Sequence, residues 1–105
     1  MDEATFERAA AATLARILDA VEASGADVDA DLHEGVLMLA FADGRQIVIN
    51  RHGPNRQVWL SSPLSGARHF DPHGDGWRDT RDGRMLTDVL AEDFSALAGV
   101  PATFA

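Results

Sequence analysis

The chain has 105 residues, 17 of them acidic and 9 basic, and it contains no cysteine. This length suits one domain with a single hydrophobic core, expected here over residues 1–105. Without cysteine, disulfides, thiol nucleophiles and thiolate-bound metal centres are excluded. No segment concentrates arginine as a nucleic-acid interface would, and no apolar run or charged leader indicates a membrane span or secretion signal. We therefore expect a soluble cytoplasmic protein.

The negative charge is concentrated in the first third of the chain. Residues 1–34 hold nine carboxylates and two arginines, a net charge of −7, whereas residues 35–105 hold eight carboxylates and seven arginines, a net charge of −1. Because charge of one sign gathers in one segment, we expect a polarised surface with one acidic region.

Apolar residues at helical spacing predict a first helix over about residues 3–23. Its polar side carries Glu3 and Glu7 near the start, where an acid can simply complement the helix dipole. Asp19 and Glu22 follow near the end, and side chains three residues apart share one face of a helix. The helix therefore carries acidic side chains at both ends.

After the helix the spacing changes to a strict alternation. Asp27, Asp29 and Asp31 alternate with apolar residues, which predicts a half-buried strand over about residues 27–33 with its aspartates on one side. Neighbouring aspartates would lie about 7 Å apart and repel by roughly 0.6 kcal/mol per pair in water. Such a row favours a bound cation. The alternative is that the aspartates only keep an edge strand from pairing with other chains.

Five further strands and a second helix are predicted beyond this point. Turn signals separate strand patterns at about 36–41, 46–50, 56–60, 67–71 and 77–79, the 67–71 strand being closed by Pro72, and an amphipathic helix covers about 86–97. Hairpin-length connections make the sheet antiparallel. Both helices must then pack on one sheet face, giving an α+β two-layer sandwich of about six strands whose other face meets water.

The same alternation predicts what the open sheet face displays. The side chains expected to face the helices are Leu37, Leu39, Phe41, Ile47, Ile49, Val58 and Leu60. The side chains expected to face water are Met38, Val48, Asn50, Gln57 and Trp59. A tryptophan beside apolar and amide groups on a solvated face is typical of a protein-docking surface. The alternative is that Trp59 belongs to the core and the strand alternates in the opposite sense.

Taken together, these segments resemble the bacterial frataxins of the CyaY type. The similarity runs from Phe6 to about Leu97, and its most specific part is Ile-Asn-Arg at 49–51 followed by Gln-Val-Trp-Leu at 57–60. It implies an iron-binding protein without catalytic turnover. Such a protein docks on the cysteine desulfurase, with the iron–sulfur scaffold protein as a further partner, and regulates or supplies iron for iron–sulfur cluster assembly.

The resemblance also implies which residues act. Weakly bound iron, as Fe²⁺ or Fe³⁺, or another divalent metal would lie on an acidic ridge formed by Glu3, Glu7, Asp19, Glu22, Asp27, Asp29 and Asp31. Contacts with the partner would come from Asp19, Glu22, Asp27, Asp29, Asp31, Asn50, Gln57 and Trp59. The implied state is a monomer that metal can drive into oligomers. Many relatives carry a denser acidic cluster where this chain has Ala20, Ala23 and Ser24, so the number of bound irons is left open.

Two other functions stay open. A ferroxidase or iron-storage oligomer would need carboxylates and histidine around two irons, but no Glu-x-x-His spacing occurs. An acidic protein-binding module without a metal role would share the same surface. His69, Asp71 and His73 alternate like a metal triad, but Pro72 is expected to interrupt that strand. We therefore expect His69 to serve in packing or hydrogen bonding.

Overall fold

The computed structural model describes residues 1–104, and Ala105, the last residue of the domain expected from the sequence, lies outside them. The elements are α1 Glu3–Ala23, β1 Val28–His33, β2 Val36–Phe41, β3 Gln46–His52, β4 Gln57–Ser62, β5 Gly66–His73, β6 Gly76–Asp79 and α2 Leu86–Ala98. Each strand pairs antiparallel with its neighbours in sequence, so the sheet order is β1-β2-β3-β4-β5-β6. The predicted order of elements and the antiparallel sheet are confirmed.

Helix α1 begins at an aspartate cap. Asp2 Oδ1 accepts a hydrogen bond from the backbone N–H of Thr5 at 2.8 Å. This hydrogen bond favours the charged carboxylate and lowers the pKa of Asp2. The helix packs on the sheet through a buried stripe of Phe6, Ala10, Thr13, Leu14, Ile17 and Val21. Neither helix within residues 1–104 is both long and apolar enough to cross a membrane.

The core lies between the two helices and one face of the sheet. The buried residues of strands β2, β3 and β4 are Leu37, Leu39, Phe41, Ile47, Ile49, Val58 and Leu60, together with Ser62. The seven apolar members are those predicted to face the helices, so the predicted alternation is confirmed. Because successive side chains of a strand point to opposite sides, the intervening residues project from the other side of the sheet, which we call the outer face.

Pro72 does not end β5, contrary to the prediction from the sequence. The strand continues to His73, and Pro72 lies opposite Trp77 of β6. Proline has no N–H to donate and is tolerated where a strand is paired on one side only. The pairing of β5 with β4 ends at Phe70, so at Pro72 the strand pairs with β6 only. Register with the next strand also carries β3 two residues beyond its predicted end, to His52.

Two buried hydrogen bonds tie the helices to the sheet. Trp77 Nε1 donates to Thr13 Oγ1 of α1 at 2.8 Å, and Ser62 Oγ donates to Asp93 Oδ2 of α2 at 2.7 Å. Trp77 is buried within the edge strand β6. Phe104 also joins the core from beyond α2. Polar groups inside a core need such partners, so these pairs fix how the two layers meet.

Candidate docking and metal-binding surface

Strand β1 lies at one edge of the sheet, and its side chains divide between two environments. The apolar residues of β1 are partly buried against the core, whereas Asp29 and Asp31 are exposed. Asp27, predicted to begin this strand, instead lies at the bend before it and so falls outside the strand alternation, although it is exposed as well. Asp29 lies opposite Ala40 and Asp31 opposite Met38 of β2. The two strand aspartates therefore project together from the outer face at its β1 border.

These aspartates border an apolar strip on the outer face. Asp31 lies opposite Met38, and Met38 in turn lies opposite Val48 of β3. Val36, which lies opposite Asn50, and Met38 are each 39% exposed. The strand aspartates and the predicted docking face are thus parts of one continuous surface, which the sequence alone did not reveal.

Trp59 stands on this face between two histidines. The ring centroids of His52 and Trp59 lie 3.7 Å apart with planes 8° from parallel, and those of Trp59 and His69 lie 4.3 Å apart with planes 18° from parallel. Trp59 is half-buried and lies opposite His69 across the β4–β5 pairing. Its predicted outward orientation is confirmed, the core alternative is wrong, and the expected packing role of His69 is confirmed.

A short hydrogen-bond chain leads away from the Trp59 indole. Trp59 Nε1 donates to Gln57 Oε1 at 2.8 Å, and Gln57 Nε2 donates to Asp71 Oδ1 at 2.9 Å. Sequence reasoning selected Gln57 and Trp59 for the docking face but missed His52 and Asp71. His52 lies two residues after Asn50, so the alternation of β3 places both side chains on the outer face. This alternation would have identified His52 if the predicted strand had extended to residue 52.

The seven carboxylates of the acidic ridge are exposed, and within residues 1–104 none of them makes an ion pair or a side-chain hydrogen bond. Acids elsewhere are often paired. Asp43 lies 2.8 Å from Arg45, and Asp82 lies 2.8 Å from Arg68. The pKa of Asp82 is lowered, first by the backbone N–H of Arg84 and then by the Arg68 guanidinium. Uncompensated negative charge is therefore concentrated on the ridge.

The ridge does not converge on one point. Asp19 and Glu22 lie on α1, in the helical layer. Asp29 and Asp31 lie on the edge strand β1 and project from the outer face on the other side of the sheet. Glu7 precedes Asp19 by twelve residues of the same helix, which separates them by about 18 Å along its axis at roughly 1.5 Å per residue. Within residues 1–104 no three histidine, aspartate or glutamate side chains are arranged to hold a metal ion. The ridge therefore offers separated carboxylate oxygens and no enclosing site.

Comparison with known sequences agrees with this architecture. A family model described as a frataxin-like domain matches residues 1–100. The iron–sulfur cluster assembly protein CyaY of Neisseria meningitidis serogroup B is 40% identical over 99 residues, 94% of this chain and 92% of that protein. The protein of the same name from Dechloromonas aromatica is 41% identical over 100 residues, covering 94% of each chain.

Solved structures show the same fold. Frataxin from Psychromonas ingrahamii matches with a TM-score of 0.93 at 30% identity, covering 100% of this chain and 99% of that one. Trimeric frataxin from the yeast Saccharomyces cerevisiae, complexed with ferrous iron, matches with a TM-score of 0.76 at 34% identity, covering 87% and 86%. The resemblance seen in the sequence is therefore confirmed, and the chain belongs to the frataxin-like family.

Proposed function

We propose that this protein acts in iron–sulfur cluster assembly by docking on the cysteine desulfurase, beside the scaffold protein, with weakly bound iron on its acidic ridge and no catalytic turnover of its own. Relatives covering nearly the whole chain carry the name iron–sulfur cluster assembly protein. The observation that carries the docking proposal is the continuity of Asp29 and Asp31 with the apolar strip and with Trp59 on one face.

The parts of this surface contribute differently to docking. Exposed carboxylates steer a positively charged partner towards the β1 border and raise the association rate, an effect that salt screens. Met38 and Trp59, nearer the middle of the sheet, can be fully covered by a partner, and central aromatic and apolar groups hold most of the binding energy of an interface. The partner surface that fits is therefore basic at one border and apolar at its centre.

The ridge suits a metal that must later be released. Carboxylate oxygens are hard ligands suited to iron, manganese, calcium or magnesium. Because the ridge carboxylates do not converge, an ion would keep most of its water and bind weakly with little selectivity. The ferrous complex of the yeast frataxin supports a role for iron in this family. We further propose that the free protein is a monomer and that metal, by neutralising the ridge, favours association of copies.

The docking proposal is tested by reversing charge on the ridge. The variant Asp27→Lys, Asp29→Lys, Asp31→Lys should lose desulfurase binding in a titration followed by calorimetry. Binding of the unmodified protein should weaken markedly as salt rises. A control with the same change in net charge replaces three exposed acids elsewhere by lysine, Asp75, Asp88 and Glu92, and should bind nearly normally. A ridge variant that binds as tightly as the unmodified protein would show that the ridge is not the docking surface.

The metal proposal is tested by titrating the protein with Fe²⁺ under anaerobic conditions and following backbone amide signals. Amides near Asp19 to Glu22 and Asp27 to Asp31 should broaden first. If no amide broadens while desulfurase binding persists, the protein is an acidic binding module without a metal role. Oxygen-dependent iron oxidation faster with the protein than without it would instead support the ferroxidase alternative.

A further inference from the structure

We propose that His52, His69 and Asp71 are positioning residues that hold Trp59 in one orientation before a partner binds. The outer face would then dock with the three stacked rings of His52, Trp59 and His69 already in place. This inference rests on the proposed docking role of the outer face. It concerns how the docking surface is built, and it gives functions to three residues outside the predicted contact set.

The two histidines cover both faces of the indole. His52 on β3 stacks at 3.7 Å and His69 on β5 at 4.3 Å, so the three rings bridge three neighbouring strands. An arginine guanidinium commonly binds tryptophan by stacking on a ring face. Here that approach would require a histidine to move. A partner therefore meets the edge of Trp59, and a partner arginine is better placed at the aspartates of β1.

Asp71 determines how Gln57 is oriented. A carboxylate only accepts hydrogen bonds, so the Gln57 amide must turn its NH₂ group towards Asp71, which it reaches at 2.9 Å. The Gln57 oxygen then faces the indole N–H, which only donates and lies 2.8 Å away. Without an acceptor at position 71, the amide could turn over and present its NH₂ group to the indole, where no hydrogen bond can form. Asp71 thus acts on Trp59 through Gln57.

The stacked position of His52 buries one of its ring nitrogens. Its Nδ1 atom is buried and has no hydrogen-bond partner within residues 1–104. A buried polar atom without a partner opposes burial of the ring, so stacking on Trp59 must compensate for it. It follows that a ring without nitrogen should stack at least as well, and His52→Phe should keep the arrangement that His52→Ala loses.

If Trp59 is already held in place, the protein should bind its partner more tightly than when Trp59 is free to move. A side chain that is already fixed loses less conformational freedom when a partner binds, and releasing it should weaken binding by about 3- to 10-fold. For Asp71→Ala we expect a loss in that range against a purified bacterial cysteine desulfurase. Asp71→Asn keeps an acceptor oxygen while removing the charge, so it should bind like the unmodified protein. The pair therefore separates positioning of Trp59 from direct charge contact with the partner.

The free protein supplies a second readout. The two tryptophans should give two indole N–H signals, assigned with Trp59→Phe, and the signal of buried Trp77 serves as internal control. Asp71→Ala and His52→Ala should shift the Trp59 signal and speed its solvent exchange, whereas Asp71→Asn and His52→Phe should do neither. Equal docking loss in Asp71→Ala and Asp71→Asn, or an unchanged Trp59 signal in Asp71→Ala, would overturn the positioning role.

Trp59→Ala distinguishes the two proposals. If it leaves desulfurase binding unchanged, the outer face is not the docking surface and the proposed function fails there, together with the docking part of this inference. If Trp59→Ala weakens binding but Asp71→Ala changes neither binding nor the indole signal, the docking surface stands and only the positioning role is wrong.

Discussion

Replacing the central aspartate at the β1 border should stabilise the protein more than replacing either neighbour. Asp31 lies two residues from Asp29 along β1, about 7 Å by strand rise. Asp27, at the bend that precedes β1, lies two residues away on the other side, and its backbone is at most about 7 Å from that of Asp29. None of the three has an ion-pair partner within residues 1–104. Each neighbouring pair repels by roughly 0.6 kcal/mol in water. Asp29→Asn removes two repulsions, about 1.2 kcal/mol, whereas Asp27→Asn or Asp31→Asn removes one.

Urea unfolding at low and at physiological salt provides the measurement. The advantage of Asp29→Asn should be largest in low salt and fall by about half near 0.1 M, where the screening length is about 10 Å. Asp75→Asn, which removes an exposed acid from the turn between β5 and β6, controls for the general gain from lowering the net charge. The aspartates do not repel one another as inferred if Asp29→Asn stabilises the protein no more than the two flanking variants. The same conclusion follows if its extra free energy of unfolding does not change with salt concentration.

Three further outcomes are expected. Ser62→Ala should lower the free energy of unfolding by about 1–3 kcal/mol, because it removes the hydroxyl that donates to the buried Asp93 carboxylate; a smaller loss in urea unfolding would contradict this. A double-mutant cycle of Trp77→Phe and Thr13→Val should give a coupling of about 1 kcal/mol, because their hydrogen bond is buried; additive effects would contradict it. The lowered pKa of Asp2 means that its helix cap stabilises the fold above pH 3.8, the ordinary value, and that this contribution is lost as pH falls through the folded-state value. The stability difference between the unmodified protein and Asp2→Ala should therefore be full at pH 7 and shrink in acid, as followed by thermal unfolding at each pH; a difference independent of pH would rule this out.

Local patterns were sufficient to predict most of the fold. The apolar stripe of α1 and the alternation of β2 and β3 each act within a few residues, and the structure reproduces both. The Asp43-Gly44 hairpin is equally local, and it joins β2 to β3 as predicted. Features set by spacing along the chain could therefore be predicted directly from the sequence.

Features that depend on register between strands could not be read in this way. Whether Pro72 ends β5 depends on where β4 begins, and the Gln57–Asp71 hydrogen bond joins residues 14 positions apart. Asp93 looks like an exposed helix position until Ser62 is seen beneath it. Phe104 has no repeating pattern around it to indicate burial. Each of these requires a pairing or a packing contact that no single segment encodes.

The alternation of the strands has a consequence for how this protein can change over evolutionary time. The outer-face residues of β2, β3 and β4 alternate along the chain with core residues, yet they lie on the opposite side of the sheet from them. A substitution at Met38 or Trp59 therefore alters the surface that we propose a partner contacts, while leaving the packing beneath the helices untouched. If this surface is the docking site, partner preference can change between lineages while the fold keeps its shape, and the two can be engineered independently.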